Sequence, residues 1–358
     1  MKTILNTHFL AFQALVKLCG GGSICSMFIH KYNYIISIDN LLSAWKNFIC
    51  GKRNKKDVQE FQQHLMDNII SLQNDLENKR YTHGSYHQFS INDPKPRNIS
   101  KATVRDRLNH HLLYRALYWY FDKRFIHDSY SCRVGKGTHK AIKQFTQFSR
   151  KVSQNYTKQC WVLKCDIKRF FDSVDHKIII KILKRHIQDQ EILNLLITII
   201  HSFETKSGKG LPLGNLTSQL LVNIYMNEFD QYVKHKLKVK YYVRYADDFV
   251  FLHQDKEYLQ QILKDIELFL KNNLELTLHP HKVSIETFSS GVDFLGWVHF
   301  PHRRVLRTVT KRRIFRGIKE KKGDVATVQS YLGLLSHGDT EKLQAKVNVF
   351  VASIENSS

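Results

Sequence analysis

Tyr241-Tyr242-Val243-Arg244-Tyr245-Ala246-Asp247-Asp248-Phe249-Val250-Phe251-Leu252 is the stretch on which the fold turns. Two adjacent aspartates sit between two apolar, aromatic-rich runs, each of which reads as a strand. Aspartate is a poor strand residue, and Asp-Asp is a weaker hairpin turn than Asn-Gly or Asp-Gly. Two carboxylates crowded at a tight turn repel each other unless a cation lies between them. The pair therefore points to a divalent metal, and oxygen-only ligands favour magnesium or manganese.

A second carboxylate-bearing strand lies upstream. Trp161-Val162-Leu163-Lys164-Cys165-Asp166-Ile167 alternates so that Trp161, Leu163, Cys165 and Ile167 share one side, with Lys164 and Asp166 on the other. Asp166 and Asp247 are 81 positions apart. Residues 175–188 and 217–238 read as helices, so two helices separate strands that can pair as antiparallel neighbours. In the second helix Leu220, Leu221, Ile224, Tyr225 and Phe229 form one stripe. A further helix is expected over 255–274, with Leu259, Ile262, Leu263, Ile266 and Phe269 inward. Upstream, helical spacing runs from Ile38 to Leu76, broken by Lys52-Arg53-Asn54-Lys55-Lys56, and resumes through Val104–Phe121. Asp93-Pro94-Lys95-Pro96-Arg97 is extended and turn-rich. The class is α+β: a sheet carrying carboxylates, backed by helices, with a basic helical end.

The chain has 358 residues, enough for about two domains, or one with appendages. Lys and Arg outnumber Asp and Glu by 55 to 32, and the resulting charge of +23 favours a polyanionic partner. The excess is spread along the chain, which suits a long nucleic-acid track. It peaks at 301–322, where ten Lys or Arg face one acid, Glu320. Six cysteines form no Cys-x-x-Cys pair or zinc-finger spacing, so reduced thiols in a cytosolic protein are expected. Residues 1–36 are mildly apolar, but Lys17 interrupts the run. They read as a loosely packed N-terminal extension rather than a signal peptide or membrane span.

Cys165-Asp166-Ile167-Lys168-Arg169-Phe170-Phe171-Asp172-Ser173 and Tyr245-Ala246-Asp247-Asp248 together resemble the palm motifs of bacterial reverse transcriptases related to group II intron enzymes. The resemblance runs from Ile38 to about residue 350. It implies a right-hand polymerase architecture, with N-terminal helices and fingers at 37–160, palm at 161–300 and a basic helical thumb over 301–358. It implies RNA-directed DNA synthesis with catalytic Asp166, Asp247 and Asp248. These residues and the backbone of Ile167 would hold two Mg2+ (or Mn2+) ions, set about 4 Å apart in such sites. The substrates are dNTPs. Lys95 and Arg97 match basic residues that grip the triphosphate, and Phe171 matches the ring that abuts the sugar 2′ position. Tyr130-Ser131-Cys132-Arg133-Val134-Gly135-Lys136-Gly137-Thr138-His139 resembles the next fingers motif. Lys282 stands where the family has a lysine proposed as general acid for pyrophosphate, or is a surface lysine. Phe294-Leu295-Gly296-Trp297 resembles the primer-grip turn, or is a core hairpin. Arg303, Arg304, Arg307, Lys311, Arg312, Arg313 and Arg316 would line the nucleic-acid track.

Leu211-Pro212-Leu213-Gly214-Asn215-Leu216-Thr217-Ser218-Gln219 discriminates within the family. Most reverse transcriptases carry Gln-Gly-x-x-x-Ser-Pro here; Leu213 replaces the glutamine and Gln219 the proline. That pattern, with Gly214 between, resembles reverse transcriptases of diversity-generating retroelements. The resemblance implies a template-repeat RNA and primer, an RNA–DNA hybrid, copying errors at template adenines, and a small, basic, oligomeric accessory protein. It further implies a cytoplasmic setting, prokaryotic or phage-encoded, with no membrane. The C-terminal region shows no retron-type Val-Thr-Gly motif, and no group II endonuclease domain is expected after the thumb. The competing readings are an accurate reverse transcriptase of a retron, intron or phage-defence system, and an RNA-binding scaffold with a dead palm.

Overall fold

The computed structural model describes residues 28–91 and 96–355. Among the described residues four helices come first: α1 (Tyr32–Ile35), α2 (Ile38–Phe48), α3 (Lys56–Gln63) and α4 (Leu65–Glu77). Strands β1 (His87–Ile91) and β2 (Arg97–Lys101) pair as an antiparallel ribbon, joined through the proline-rich segment. Helices α5 (Val104–Asp122) and α6 (Thr138–Val152) follow. Next come β3 (Trp161–Asp166), the single turn α7 (Phe170–Ser173), and helices α8 (His176–His186), α9 (Gln190–His201) and α10 (Leu216–Gln231). Helix α10 runs on into a π-helical turn, Tyr232–Lys236. The hairpin β4 (Tyr242–Tyr245) and β5 (Asp248–His253) leads to α11 (Lys256–Leu274) and β6 (Ser284–Thr287). Strands β7 (Val292–Phe294), β8 (Trp297–His299) and β9 (Arg304–Leu306) precede helices α12 (Thr308–Glu320), α13 (Val325–Leu335) and α14 (Glu341–Glu355).

The central sheet has order β4-β5-β3-β6, with every pairing antiparallel. Both of its faces are covered. Leu163, Cys165, Phe249 and Phe251 enter the main core with helices α8 to α11. Val162, Val243, Val250 and Leu252 enter a second cluster with Phe145 and Phe148 of α6. This explains why β5 reads Phe-Val-Phe-Leu without alternation: a strand buried on two faces has no polar side to show. Phe249 and Phe251 are fully buried, and burying a ring of this size contributes about 1.5–3 kcal/mol. Trp161, Leu163, Cys165 and Ile167 share the main-core face as expected, and Val162, on the side of Lys164 and Asp166, is buried under the α6 layer.

Three helices rather than two separate Asp166 from Asp247, apart from the short α7. The unanticipated one, α9, is apolar around most of its circumference. Its start is set by Asp189, whose carboxylate accepts from the Glu191 and Ile192 N–H groups. Residues 28–36 are not loosely packed either. Phe28, Tyr32, Ile35 and Ile36 are buried in the main core, and the Tyr32 hydroxyl donates to the Leu76 carbonyl at 2.7 Å. The rest of the expected extension, residues 1–27, lies outside the described residues. A third cluster joins Trp297 and Leu306 to Ile314, Ile318, Leu335 and Val347 of the C-terminal helices. Among the described residues no helix is long and apolar enough to cross a membrane.

Candidate active site

The carboxylates converge at one end of the central sheet. Tyr245 pairs with Asp248 as the last rung of β4–β5, leaving Ala246-Asp247 as a two-residue turn. Ala246 adopts φ +55°, a left-handed conformation that costs an L-residue about 1–2 kcal/mol. On the other side of β5, Asp248 is directly opposite Asp166. Asp166, Asp247 and Asp248 are therefore brought together by register. Ile167 follows as a buried residue bridged to Leu278. The Asp166 carbonyl accepts from His279 N–H at 2.8 Å, clamping the segment that carries Lys282.

Three carboxylates in a half-buried corner disturb one another's ionisation. Burial, then the Asp247 and Asp166 carboxylates, push the Asp248 carboxyl up to about 7, with Lys164 opposing. Asp247 is also raised, by burial and by Asp166; its own backbone N–H, Lys282 and Arg97 act against the rise. The Lys282 ammonium grips both Asp166 oxygens, at 2.9 and 3.0 Å. Among the described residues no three His, Cys, Asp or Glu side chains already stand in a metal-holding arrangement. The donor set nonetheless fits a divalent cation: hard oxygen ligands, two of them pushed up by burial and by neighbouring carboxylates that a cation would relieve.

Arg97 lies exposed at the start of β2, close enough to Asp247 to favour its ionised form. Lys95, its expected companion, lies outside the described residues. Strand β2 is tied to the Leu213–Gln219 segment: Ser100 N–H donates to the Leu213 carbonyl at 3.0 Å, and Asn215 Nδ2 to the Ser100 carbonyl at 2.8 Å. Gly214, at φ +111°, has Ile99 Cγ2 2.7 Å from where a Cβ would stand, so only glycine permits this approach. Gln219 is half-buried in the first turn of α10. Phe171 is half-buried on α7, against the Phe170 ring, and its carbonyl accepts from Leu211 N–H at 2.8 Å. One hydrogen-bonded chain thus runs from Arg97's strand through Leu213 to Phe171.

Other expected residues are divided by the structure. Phe294 and Trp297 are buried on either side of a two-residue turn, and only Leu295-Gly296, both at positive φ, form its tip. Arg133 is structural: it donates to the Asp122 carboxylate at 2.7 Å and to the Ile126 and Ser129 carbonyls. In the basic run, Arg307 is ion-paired with Asp293, and Arg304 packs over Trp297. Arg303, Arg312 and Arg316 are exposed, Lys311 and Arg313 partly buried. The sequence reading gave no role to Asn215, nor to the Asp230–Arg244 pair beneath the turn; both act through partners distant in sequence.

A family model described as reverse transcriptase (RNA-dependent DNA polymerase) matches residues 83–299. That span is more than half of the chain and contains all three carboxylates, and the chain belongs to the reverse transcriptase family. Its fold is accordingly that of a right-hand polymerase. Protein YkfC of Escherichia coli (strain K12) is 27% identical over 56% of this chain and 62% of its own length. The group II intron-encoded protein LtrA of Lactococcus lactis subsp. cremoris is 23% identical over 77% of this chain and 57% of its own. The putative COX1/OXI3 intron 2 protein of Saccharomyces cerevisiae is 23% identical over 75% and 36%. The chain thus spans between 36% and 62% of these relatives. A solved structure of apo telomerase from Candida tropicalis, truncated from its C-terminal domain, is similar over 68% of this chain and 60% of that one, with a TM-score of 0.48 and 12% identity.

Proposed function

We propose that this chain copies an RNA template into DNA, and that it does so with frequent errors, as the reverse transcriptase of a diversity-generating retroelement. The first half rests on the convergence of Asp166, Asp247 and Asp248 at one sheet end. When bound, two divalent cations would activate the primer 3′-hydroxyl and neutralise the triphosphate. Asp166, Asp247 and Asp248 would hold them, with the backbone of Ile167. Lys282 balances Asp166 until then, and as a candidate acid for pyrophosphate it would have to leave that carboxylate. Arg97, with Lys95, orients the triphosphate. In this reading residues 37–160 are N-terminal helices and fingers, 161–300 palm and 301–358 thumb.

Phe171 is assigned to sugar selection. A ring at the 2′ position leaves no room for a hydroxyl, so Phe171→Ala is expected to lower the deoxy-to-ribo discrimination ratio without comparable loss of deoxynucleotide use. Single-nucleotide incorporation with dNTP and rNTP measures it. Unaltered discrimination in a folded, active variant would return Phe171 to the core.

The α12 region is assigned to the template–primer duplex. Each neutralised phosphate contributes about −0.9 to the slope of log K against log salt for B-form DNA. Replacing the exposed Arg312, Arg316 and Lys319 with Gln should therefore weaken binding and flatten that slope, by up to about 3. An unchanged slope would make this helix a solvated face or a protein-binding surface.

The error-prone half rests on Leu213. Its backbone is fixed against Ser100, but its side chain offers no hydrogen bond to a nucleotide sugar where relatives have glutamine. A site built on hydrogen bonds rejects misplaced substrates far better than an apolar one. Leu213→Gln should accordingly lower the error frequency, scored by sequencing cDNA made on one RNA template with any accessory protein supplied. The intron-encoded relatives favour a second reading, an accurate reverse transcriptase of intron or retron type. Uniformly faithful wild-type copying would select it, and with it would go the template-repeat RNA and the accessory protein.

A further inference from the structure

Arg244 directly precedes the Tyr-Ala-Asp-Asp turn and is wholly buried. A guanidinium has five N–H donors, and five acceptors meet them here. Nε donates to Asp230 Oδ1 at 2.8 Å, and Nη2 to Asp230 Oδ2 at 2.6 Å and to Ser129 Oγ at 3.0 Å. Nη1 donates to Asn223 Oδ1 at 3.3 Å and to the carbonyl of Ala246 at 3.1 Å. Asp230 takes a further bond from the Tyr242 hydroxyl at 2.8 Å. Asn223 and Asp230 lie on one face of α10, two turns apart. Asn223 in turn donates to the Ser131 carbonyl at 2.9 Å. The Arg244 backbone completes the frame, donating to the Asp128 carbonyl at 2.9 Å and accepting from Tyr130 N–H at 3.0 Å.

The bond to Ala246 is the informative one. Ala246 is held at positive φ without the freedom of glycine, so something must keep the turn in this shape. Its carbonyl oxygen and the Asp247 nitrogen share one planar peptide unit. Fixing that oxygen fixes where the Asp247 backbone starts, and through the last rung of the hairpin where Asp248 faces Asp166. A buried ion pair adds little net stability, because desolvation offsets the attraction. It does set geometry when all its donors are directed, and a lysine could not replace a fork with five fixed directions.

We propose that Arg244, braced by Asp230, is a positioning residue that locks the turn carrying Asp247 and Asp248 to helix α10 and to residues 128–131, and so sets the carboxylate spacing for the incoming metal ions. This rests on the nucleotidyl-transfer reading of the three carboxylates. The test compares Arg244→Lys and the charge-neutral double variant Asp230→Asn with Arg244→Gln against wild type. The readouts are circular dichroism, thermal midpoint, primer–template Kd, kcat and KM for dNTP, and Mn2+ binding by electron paramagnetic resonance. A folded variant should show kcat down at least tenfold and a Mn2+ half-saturation concentration raised severalfold, with primer–template Kd and dNTP KM within twofold of wild type. Wild-type kcat and Mn2+ binding in a folded variant would overturn the proposal. So would failure of the double variant to fold, since the pair would then be a folding requirement. An inactive wild type would instead reject the polymerase reading, while the Mn2+ comparison would still decide the role of Arg244.

Discussion

Asp247→Ala and Asp166→Ala are each expected to reduce primer extension roughly a thousandfold or more, equivalent to about 4 kcal/mol of transition-state stabilisation. Both side chains sit at the sheet end rather than in a core cluster, so neither substitution removes apolar packing. Asp166→Ala also frees Lys282, which then reaches solvent and needs no new partner. RNA binding should persist in both variants, because the basic surfaces lie elsewhere. Deoxynucleotide incorporation on an RNA template with magnesium, alongside a binding isotherm, measures the two separately. Near-normal incorporation in either variant would reject the carboxylate assignment.

Metal-free protein should lose stability as pH rises from 5.5 to 8, and Asp248→Asn should remove much of that loss. The sign follows from the direction of the shift. The folded-state pKa of Asp248, about 7, lies above the usual 3.8. The native state therefore holds a proton that the unfolded chain has released between these values, and this contribution to stability disappears as pH rises through about 7. A shift of this size corresponds to roughly 2–4 kcal/mol. Added Mg2+ should raise the thermal midpoint more at pH 8 than at pH 5.5, since protons and cations compete for the same oxygens. Equal Mg2+ stabilisation at both pH values would mean that Asp248 ionises independently of the cation.

The hairpin and its aspartates were legible because they are local: two apolar, aromatic-rich runs fix two strands, and a polar pair between them fixes the turn. That the strand of Asp166 could lie antiparallel beside the hairpin was legible from the carboxylates both carry; the register that sets Asp166 opposite Asp248 was not. Helix α9 was not picked out, although Gln190, Asn194, Thr198 and His201 recur on one polar stripe, because its Ile and Leu face fills the rest of its circumference. Nor was the double burial of the sheet, which depends on α6 arriving from another part of the chain. Lys282 reaches Asp166 across 116 positions, and Gly214 meets Ile99 across the interface of β2 with the Leu213 loop. Such contacts leave no local pattern. Arg244 is the clearest case: it is adjacent to the motif, yet no local pattern marks it or its partner Asp230 on α10. Only the fold shows that five acceptors surround it.

The central claim is that these three carboxylates serve templated DNA synthesis on RNA. The direct measurement is extension of a labelled DNA primer on a defined RNA template, with the four dNTPs, with and without Mg2+, followed by sequencing of the product. The account predicts metal-dependent cDNA whose sequence follows the template and which ends at the template's 5′ end. Metal-independent product, or no templated incorporation by protein that binds the primer–template, would contradict it.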